Sequence, residues 1–193
     1  MSCYYNASAT RFHEDSMDMD MNEFYEAFLE RLPETAVILD AGCGMGTDSL
    51  YFKDLGHYVI SMETSEERCR LAGENIGGSV LLCNFQDMHS KIRFDGIWAC
   101  ASLIHMCSEE LMKIITRFNW YLKDKGVVYT SFGYGEFAGE CQGKYYLNLT
   151  EGLARRLFTE AGFKIDRMWI TEDTRKNHNG EKYINIIAEK IGY

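Results

Sequence analysis

The chain has 193 residues, of which 46% are hydrophobic and 25% charged, a composition typical of one globular domain rather than a disordered or fibrous protein. Lysine and arginine number 20 against 29 aspartates and glutamates, and this net charge of −9 disfavours a nucleic-acid partner. No apolar run reaches the roughly 20 residues that cross a bilayer. The first residues also lack a secretory-signal pattern, and the seven cysteines show no C-x-x-C spacing, so we expect a cytoplasmic protein without membrane contact, zinc site or disulfide framework.

Short apolar runs alternate with amphipathic segments along the whole chain. The predicted elements are, in order, helix 20–32, strand 36–40, helix 47–55, strand 57–62, a helix opened by a capping box at 64–67, strands 80–83 and 94–100, a helix capped by Ser108 that runs to 122, strand 127–132, a helix from Thr150 to Gly162, and strands 163–170 and 183–188. This alternation predicts an α/β domain with a mostly parallel sheet and helices on both faces. Only the polar stretch 171–182 joins the last two strands, which is too short for a parallel crossover, so the final strand is predicted to be antiparallel.

The most informative segment is the glycine-rich turn between the first strand and its helix. Its glycines are Gly42, Gly44 and Gly46, and they lie at the carboxyl edge of the predicted sheet, where open α/β folds bind ligands. A tight turn needs one glycine, whereas three alternating glycines indicate close approach of a ligand to the backbone. The spacing is G-x-G-x-G, which differs from the G-x-G-x-x-G of dinucleotide sites.

Acidic residues near the ends of three successive strands indicate which class of ligand the turn binds. Asp40 precedes the glycines, where it would repel a pyrophosphate but suits a ligand with an ammonium group. Glu63, at the end of the second strand, can accept hydrogen bonds from ribose hydroxyls, a role that also occurs in dinucleotide folds. After the third strand, Asp87 can accept from an adenine amine while Phe85 or Met88 covers the ring.

The segment Asp40-x-Gly42-x-Gly44-x-Gly46, with Glu63 and Asp87, resembles the cofactor motifs of class I S-adenosylmethionine (SAM)-dependent methyltransferases. This resemblance implies a Rossmann-like seven-stranded sheet with the last strand antiparallel, spanning residues 34–193, and an N-terminal helical cover over residues 1–33. Residues 94–105 and Tyr4-Tyr5-Asn6 resemble a subgroup of small bacterial tellurite-resistance-like methyltransferases. The cofactor-binding residues expected from the turn, the strand ends and this resemblance are Tyr5, Asp40, Gly42, Cys43, Gly44, Gly46, Glu63, Thr64, Phe85, Gln86, Asp87, Met88, Cys100 and Ala101.

His105 is the candidate catalytic residue, because it follows the fourth strand on the ligand side and its neutral imidazole can accept a proton. A histidine that only positions cofactor or substrate in the pocket wall is the alternative. The segments 133–148 and 171–182 are predicted to be loops at the rim of the site, or else plain solvated surface. Cys141, in the first of them, is expected to be an exposed thiol in a mobile loop.

These features predict a SAM-dependent methyltransferase that acts on a small molecule, such as a tellurite-like species or another soft nucleophile. Three alternatives remain: a methyltransferase for transfer RNA or protein, an NAD-dependent oxidoreductase, and a SAM-binding protein without catalysis. The run Met17-Asp18-Met19-Asp20-Met21 alternates as a lead-in to a helix would, so no metal site is expected there. The sequence fixes neither the acceptor nor the oligomeric state.

Overall fold

A seven-stranded sheet forms the centre of the computed structural model, which describes residues 20–141, 143–173 and 180–192. The helices are α1 (Asn22–Leu29), α2 (Thr47–Asp54), α3 (Glu66–Ile76), α4 (Ser108–Tyr121) and α5 (Glu151–Glu160). The strands are β1 (Val37–Ala41), β2 (Tyr58–Glu63), β3 (Leu81–Leu82), β4 (Phe94–Ala99), β5 (Leu122–Gly133), β6 (Ala138–Cys141), β7 (Lys144–Leu147), β8 (Phe163–Glu172) and β9 (Lys182–Lys190). The strand order is β3-β2-β1-β4-β5-β9-β8, and β9 is antiparallel to both of its neighbours. The predicted Rossmann-like α/β fold, with its reversed last strand, is therefore confirmed.

Apolar side chains from the helices cover the two faces of this sheet. Helix α1 contributes Phe24 and Phe28, and with Trp98 of β4 and Phe52 of α2 these rings form one cluster. Gly96 of β4 makes this packing possible, because a Cβ atom there would lie 2.5 Å from the ring of Phe28. Helices α4 and α5 pack in the larger cluster, which includes β5 and β9 side chains.

Two helix starts differ from their predicted caps. Ser65, not Thr64, is the N-cap of α3, since its hydroxyl accepts from the backbone N–H of Arg68. Cys107, not Ser108, is the N-cap of α4, and its backbone N–H donates to Glu110 at 3.1 Å. In both cases the start moves by one residue, which leaves the helix and its buried face in place.

The predicted loop at 133–148 is wrong, because most of it forms an antiparallel β-hairpin of β6 and β7. The backbone N–H of Leu147 donates to the carbonyl of Ile104 at 2.9 Å, which ties the hairpin to the segment after β4. Cys141 is buried against the core and disulfide-bonded, contrary to the expected exposed thiol. The hairpin is thus a fixed wall beside the sheet edge.

The direction in which successive strands are added to the sheet reverses between β1 and β4, although these two strands run parallel. From β1 the chain proceeds outward to β2 and β3 and then returns to β4 on the other side of β1. Such a switch point leaves a crevice at the carboxyl ends of the strands, where open α/β folds bind their ligands. Among the helices of the described residues, none has the length and apolarity needed to cross a membrane.

Candidate active site

A cavity of about 350 Å³ lies at the carboxyl ends of β1 and β4. Side chains and backbone from five separate parts of the chain line it. The lining residues are Gly42, Glu63, Thr64, Ser65, Arg68, Phe85, Ala101, Ser102, Ile104, His105 and Lys144. Six of them, namely Gly42, Glu63, Thr64, Phe85, Ala101 and His105, are residues that the sequence analysis selected.

The glycine turn needs its glycines for two physical reasons. Gly42, Gly44 and Gly46 all have positive φ angles, of 87°, 55° and 82°, a conformation that costs other residues about 1 kcal/mol or more. Space is equally restricted, because a Cβ atom on Gly42 would lie 2.5 Å from the Cβ of Ser102. A Cβ on Gly46 would lie 2.9 Å from the side chain of Ile76. The turn therefore brings bare backbone to the cavity wall at Gly42.

Glu63 connects this turn to the end of β2. One carboxylate oxygen accepts from the backbone N–H of Gly44 at 3.0 Å. The other accepts from the backbone N–H groups of Thr64 and Ser65, at 2.7 and 3.1 Å, and from the Thr64 hydroxyl. The side chain is buried and lines the cavity, so a fixed carboxylate faces the space where a ribose diol would need acceptors.

Asp40 lies behind the turn and does not line the cavity. Its carboxylate accepts from the Ser49 hydroxyl at 2.5 Å, and that hydroxyl lies 2.7 Å from the hydroxyl of Ser61. Burial, followed by the nearby Asp48 charge, raises the pKa of Asp40 well above its usual range. Direct contact of Asp40 with the ammonium group of a ligand stays a prediction.

Asp48, in the first turn of α2, was not identified from the sequence. Its carboxylate accepts from the Tyr25 hydroxyl at 2.5 Å and from the Trp98 indole N–H at 2.7 Å. The indole ring in turn stacks on Tyr129, with 4.0 Å between ring centroids. An acid in a first helical turn is usually a solvated partner of the helix dipole, and no sequence signal distinguished Asp48 from that case.

The segment after β3 reaches the cavity through Phe85. Met88 is buried in the core, whereas Gln86 and Asp87 are exposed and do not line the cavity. Asp87 instead accepts from the amide of Asn84 at 3.1 Å. The predicted contact of Asp87 with an adenine amine is therefore not tested.

Two residues of α4 hold this segment by its backbone. The guanidinium of Arg117 donates to the carbonyl of Gln86 and reaches that of Met88 at 3.4 Å. The Tyr121 hydroxyl donates to the same Met88 carbonyl at 2.6 Å. Neither residue was singled out from the sequence, because both lie on a helix whose aromatic and charged positions read as ordinary amphipathic pattern.

The segment after β4 packs against the glycine turn, where Ser102 lies next to Gly42. Ala101 has a φ angle of 48°, which is unusual for alanine, and its N–H donates to the Ser131 hydroxyl at 2.9 Å. Cys100 contacts the same hydroxyl at 3.6 Å. Next in the chain, Ser102 lines the cavity, and its buried hydroxyl has no hydrogen-bond partner in the described part of the chain. Buried polar atoms without a partner are rare, and this one borders a cavity from which a ligand can supply the missing hydrogen bond.

His105 lines the cavity with a defined tautomer. Its Nδ1 lies 2.9 Å from the Tyr145 carbonyl, which can only accept, so Nδ1 carries the proton and Nε2 keeps a lone pair. The ring also meets Tyr146 edge-on, with 4.6 Å between centroids. Burial lowers the pKa of His105 from 6.5, and the charges of Lys144 and Arg68 lower it further, against the opposing effect of the Tyr145 hydrogen bond. The imidazole is accordingly neutral at pH 7 and available as a proton acceptor.

Two predicted site residues are cysteines without nucleophilic character. Burial raises the pKa of Cys43, with a further contribution from Asp40, and burial likewise raises the pKa of Cys100. Both thiols stay protonated at neutral pH, so neither acts as a thiolate. Tyr5 and the segment Met17–Met19 lie outside the described residues. Within residues 20–141, 143–173 and 180–192, no group of three metal-ligating side chains is present.

The chain is similar in sequence to known methyltransferases. Residues 38–126 match the family model of a methyltransferase domain. A curated relative, an uncharacterized methyltransferase of Staphylococcus carnosus (strain TM300), is 28% identical over 165 residues, which are 80% of this chain and 78% of the relative. These two matches are both to methyltransferases, and they cover the glycine turn, Glu63 and His105.

Solved structures agree on the fold. The 1,6-didemethyltoxoflavin-N1-methyltransferase of Burkholderia thailandensis, determined with 1,6-didemethyltoxoflavin and S-adenosylhomocysteine (SAH) bound, is 22% identical and superposes with a TM-score of 0.74 over 100% of this chain and 92% of its own. TehB from Haemophilus influenzae is 17% identical, with a TM-score of 0.71 over 95% of this chain and 67% of its own. At these identities the likeness shows the architecture and leaves the acceptor open.

Proposed function

We propose that the chain is a SAM-dependent methyltransferase that transfers the methyl group to a small-molecule acceptor. One observation carries the proposal: Gly42, Glu63, Phe85 and His105 come from four strand ends and line one cavity at the switch point of the sheet. The first three residues provide bare backbone, a diol acceptor and an aromatic surface for an adenosine group. The fourth provides a proton acceptor at the same cavity.

The cofactor side of the proposal takes in the residues expected from the sequence. Glu63 would accept from the ribose hydroxyls and Phe85 would cover the adenine, while Gly42 would let the methionine part pass close to the backbone. Asp40, Asp87 and the other predicted residues, together with a cover formed by residues 1–33 over a 34–193 core, belong to the proposal as well.

Methyl transfer from a sulfonium is a single in-line displacement that needs few catalytic groups. A lone pair on the acceptor attacks the methyl carbon in line with the bond to the sulfonium sulfur, and that bond breaks with its electrons going to sulfur. The protein therefore contributes positioning and exclusion of water. Where the attacking atom carries a proton, Nε2 of His105 would accept it, since Nδ1 is already engaged with Tyr145.

A small acceptor fits the size of the cavity, which is about 350 Å³. The β6–β7 hairpin is bonded to the segment after β4 and supplies Lys144 to the cavity wall, where Lys144 and His105 are also exposed to solvent. The toxoflavin methyltransferase named above also acts on a small molecule. A tellurite-like oxyanion or another soft nucleophile is a specific form of this proposal, whereas a transfer RNA or protein acceptor would need a wider and more basic approach.

Calorimetric titration with SAM, SAH and NAD tests the cofactor. We expect SAM and SAH to bind and NAD not to bind. Glu63→Gln should weaken SAM binding about tenfold, since it removes a charged acceptor of hydrogen bonds. The matched control is Glu74→Gln, on the exposed face of α3, where the carboxylate pairs with Arg70 at 2.6 Å.

The outcomes separate the rival functions. Binding of NAD alone would contradict the proposal and favour an oxidoreductase. If SAM binds but is not converted to SAH in the presence of any small-molecule, transfer RNA or protein acceptor, a SAM-binding protein without catalysis would be favoured. Release of SAH with transfer RNA or protein alone would overturn the small-molecule acceptor but keep the methyltransferase.

A further inference from the structure

The cavity wall carries two cationic side chains in an acidic chain. Arg68 and Lys144 line it beside the neutral His105, and among the described residues its one acidic lining residue is Glu63. The Glu63 carboxylate already accepts hydrogen bonds from three backbone N–H groups. Its charge is therefore largely compensated by the protein, whereas the charges of Arg68 and Lys144 are not.

Neither cation has an acidic partner in the described residues. Some basic side chains elsewhere are paired, such as Arg31 with Asp166, Arg167 with Glu23 and Lys123 with Asp95. Arg68 and Lys144 instead line the cavity, where Arg68 is half-buried and Lys144 is exposed. Both can form charge-assisted hydrogen bonds to an anionic ligand there.

The two cations come from different elements and flank the candidate base. Arg68 lies in the first turn of α3, and Lys144 begins β7 of the hairpin. Both act electrostatically on His105, which shows that their charges converge on the acceptor side of the cavity. The unpaired hydroxyl of Ser102 lines the same cavity and offers a further hydrogen bond.

We propose that the methyl acceptor is an anion, held by Arg68 and Lys144 while His105 faces its nucleophilic atom. The inference rests on the proposed function and specifies its substrate class: a small carboxylate or oxyanion whose sulfur, nitrogen or oxygen atom is methylated. In the transfer step the nucleophile gains the methyl group and the sulfonium becomes a thioether. A proton on the nucleophile passes to Nε2 of His105.

The test uses acceptor pairs that differ in charge and share the nucleophile. The pairs are 2-mercaptobenzoate with its methyl ester, and pyridine-3-carboxylate with pyridine-3-carboxamide. Affinity of each is measured by calorimetry on the SAH-saturated protein, and turnover by release of SAH from SAM. We expect the anionic member of at least one pair to bind about fivefold to tenfold more tightly than its neutral partner, as one or two partly exposed charge contacts provide.

Charge-removing variants assign the preference to the two cations. Lys144→Gln and Arg68→Gln should each reduce the anion preference about twofold to threefold and leave the affinity for SAH unchanged. Lys164→Gln is the matched control, because Lys164 is exposed on β8, at the other end of the sheet from α3. Should Arg68→Gln abolish SAH binding, Arg68 serves the cofactor, and the Lys144 variant still decides the inference.

The outcomes distinguish this inference from the proposed function. Failure of SAM and SAH to bind would overturn the proposed function itself. If SAH binds but the anionic members bind no better than the neutral ones, or do not bind, the anionic acceptor is wrong and the methyltransferase stands. An anion preference that survives in both variants would also contradict the assignment to Arg68 and Lys144.

Discussion

The two sides of the cavity are built in different ways. On the side proposed for the cofactor, Glu63 accepts from the backbone N–H of Gly44, and positive φ angles and close neighbours restrict Gly42 and Gly46 to glycine. On the acceptor side, Ser102, Arg68 and Lys144 carry polar groups without partners in the described chain. The groups on the first side already have partners within the protein, whereas those on the second side are free to bind an acceptor. Specificity for the acceptor is therefore to be sought at Ser102, Arg68 and Lys144.

The largest expected effect is on the acceptor side, at His105. His105→Gln keeps a hydrogen-bonding side chain but removes the proton acceptor, so kcat should fall about 10²- to 10⁴-fold for an acceptor that loses a proton. The affinity for SAM should stay the same, measured by calorimetry. His89→Gln, at an exposed histidine, is the control. An unchanged kcat would mean that His105 only lines the pocket.

On the cofactor side, Gly42→Ala should reduce SAM affinity about tenfold to a hundredfold, since it forces strain and a clash with Ser102 at the cavity wall. Gly56→Ala is the matched control: its φ of 90° is similar, but nothing lies within 4 Å. It should lower the free energy of unfolding without changing SAM affinity. Equal SAM affinities of the two variants would contradict the close approach of cofactor to Gly42.

Asp40 allows stability and binding to be separated. Because burial and Asp48 raise its pKa above the unfolded value of 3.8, its charged form destabilises the fold as pH rises above 3.8. Asp40→Asn should therefore raise the free energy of unfolding at pH 7 by about 1 kcal/mol, while SAM affinity falls if the carboxylate serves the ammonium group.

Denaturant unfolding and calorimetry on the same variant measure both effects, with the exposed Asp54→Asn as control. A gain in stability with unchanged SAM affinity would show that Asp40 only supports the turn. A loss of stability would contradict the raised pKa.

The smallest effect expected is a shift in the pH profile. The neutral form of His105 predominates above its pKa, which lies below 6.5, so kcat/KM should rise with pH and reach half of its plateau below pH 6.5. Lys144→Gln removes a positive neighbour, so the pKa of His105 should rise and the acidic limb should move to higher pH by less than about one unit. A limb that does not move would place Lys144 too far from His105 to matter.

Sequence reasoning succeeded where backbone geometry dictates residue type. The alternation of apolar runs predicted the sheet and its reversed last strand, and the positive φ angles of the glycine turn explain why its pattern was readable. Glu63 was readable because a strand end fixes its position. These features depend on local rules that a single sequence carries.

The acceptor side depends on pairings that one sequence does not display. The β6–β7 strands have four residues each and contain Gly139, so their pattern resembled a loop, although Gly143 between two short aromatic-flanked runs was a usable hairpin signal. Arg68 and Lys144 have no sequence signal of their own, since only the tertiary fold brings a helix start and a hairpin to one cavity. Asp48 and Arg117 were hidden in ordinary amphipathic helices for the same reason.

The environment of Trp98 provides an optical readout of this site. The indole is fully buried, stacked on Tyr129, and donates to Asp48, which acts electrostatically on Asp40 beside the glycine turn. Indole emission responds to nearby charge, and Trp120 differs from Trp98 in being half exposed. With Trp120 and Trp169 replaced by phenylalanine, the fluorescence of Trp98 would follow ligand arrival at the turn in real time, without a label and before any acceptor is known.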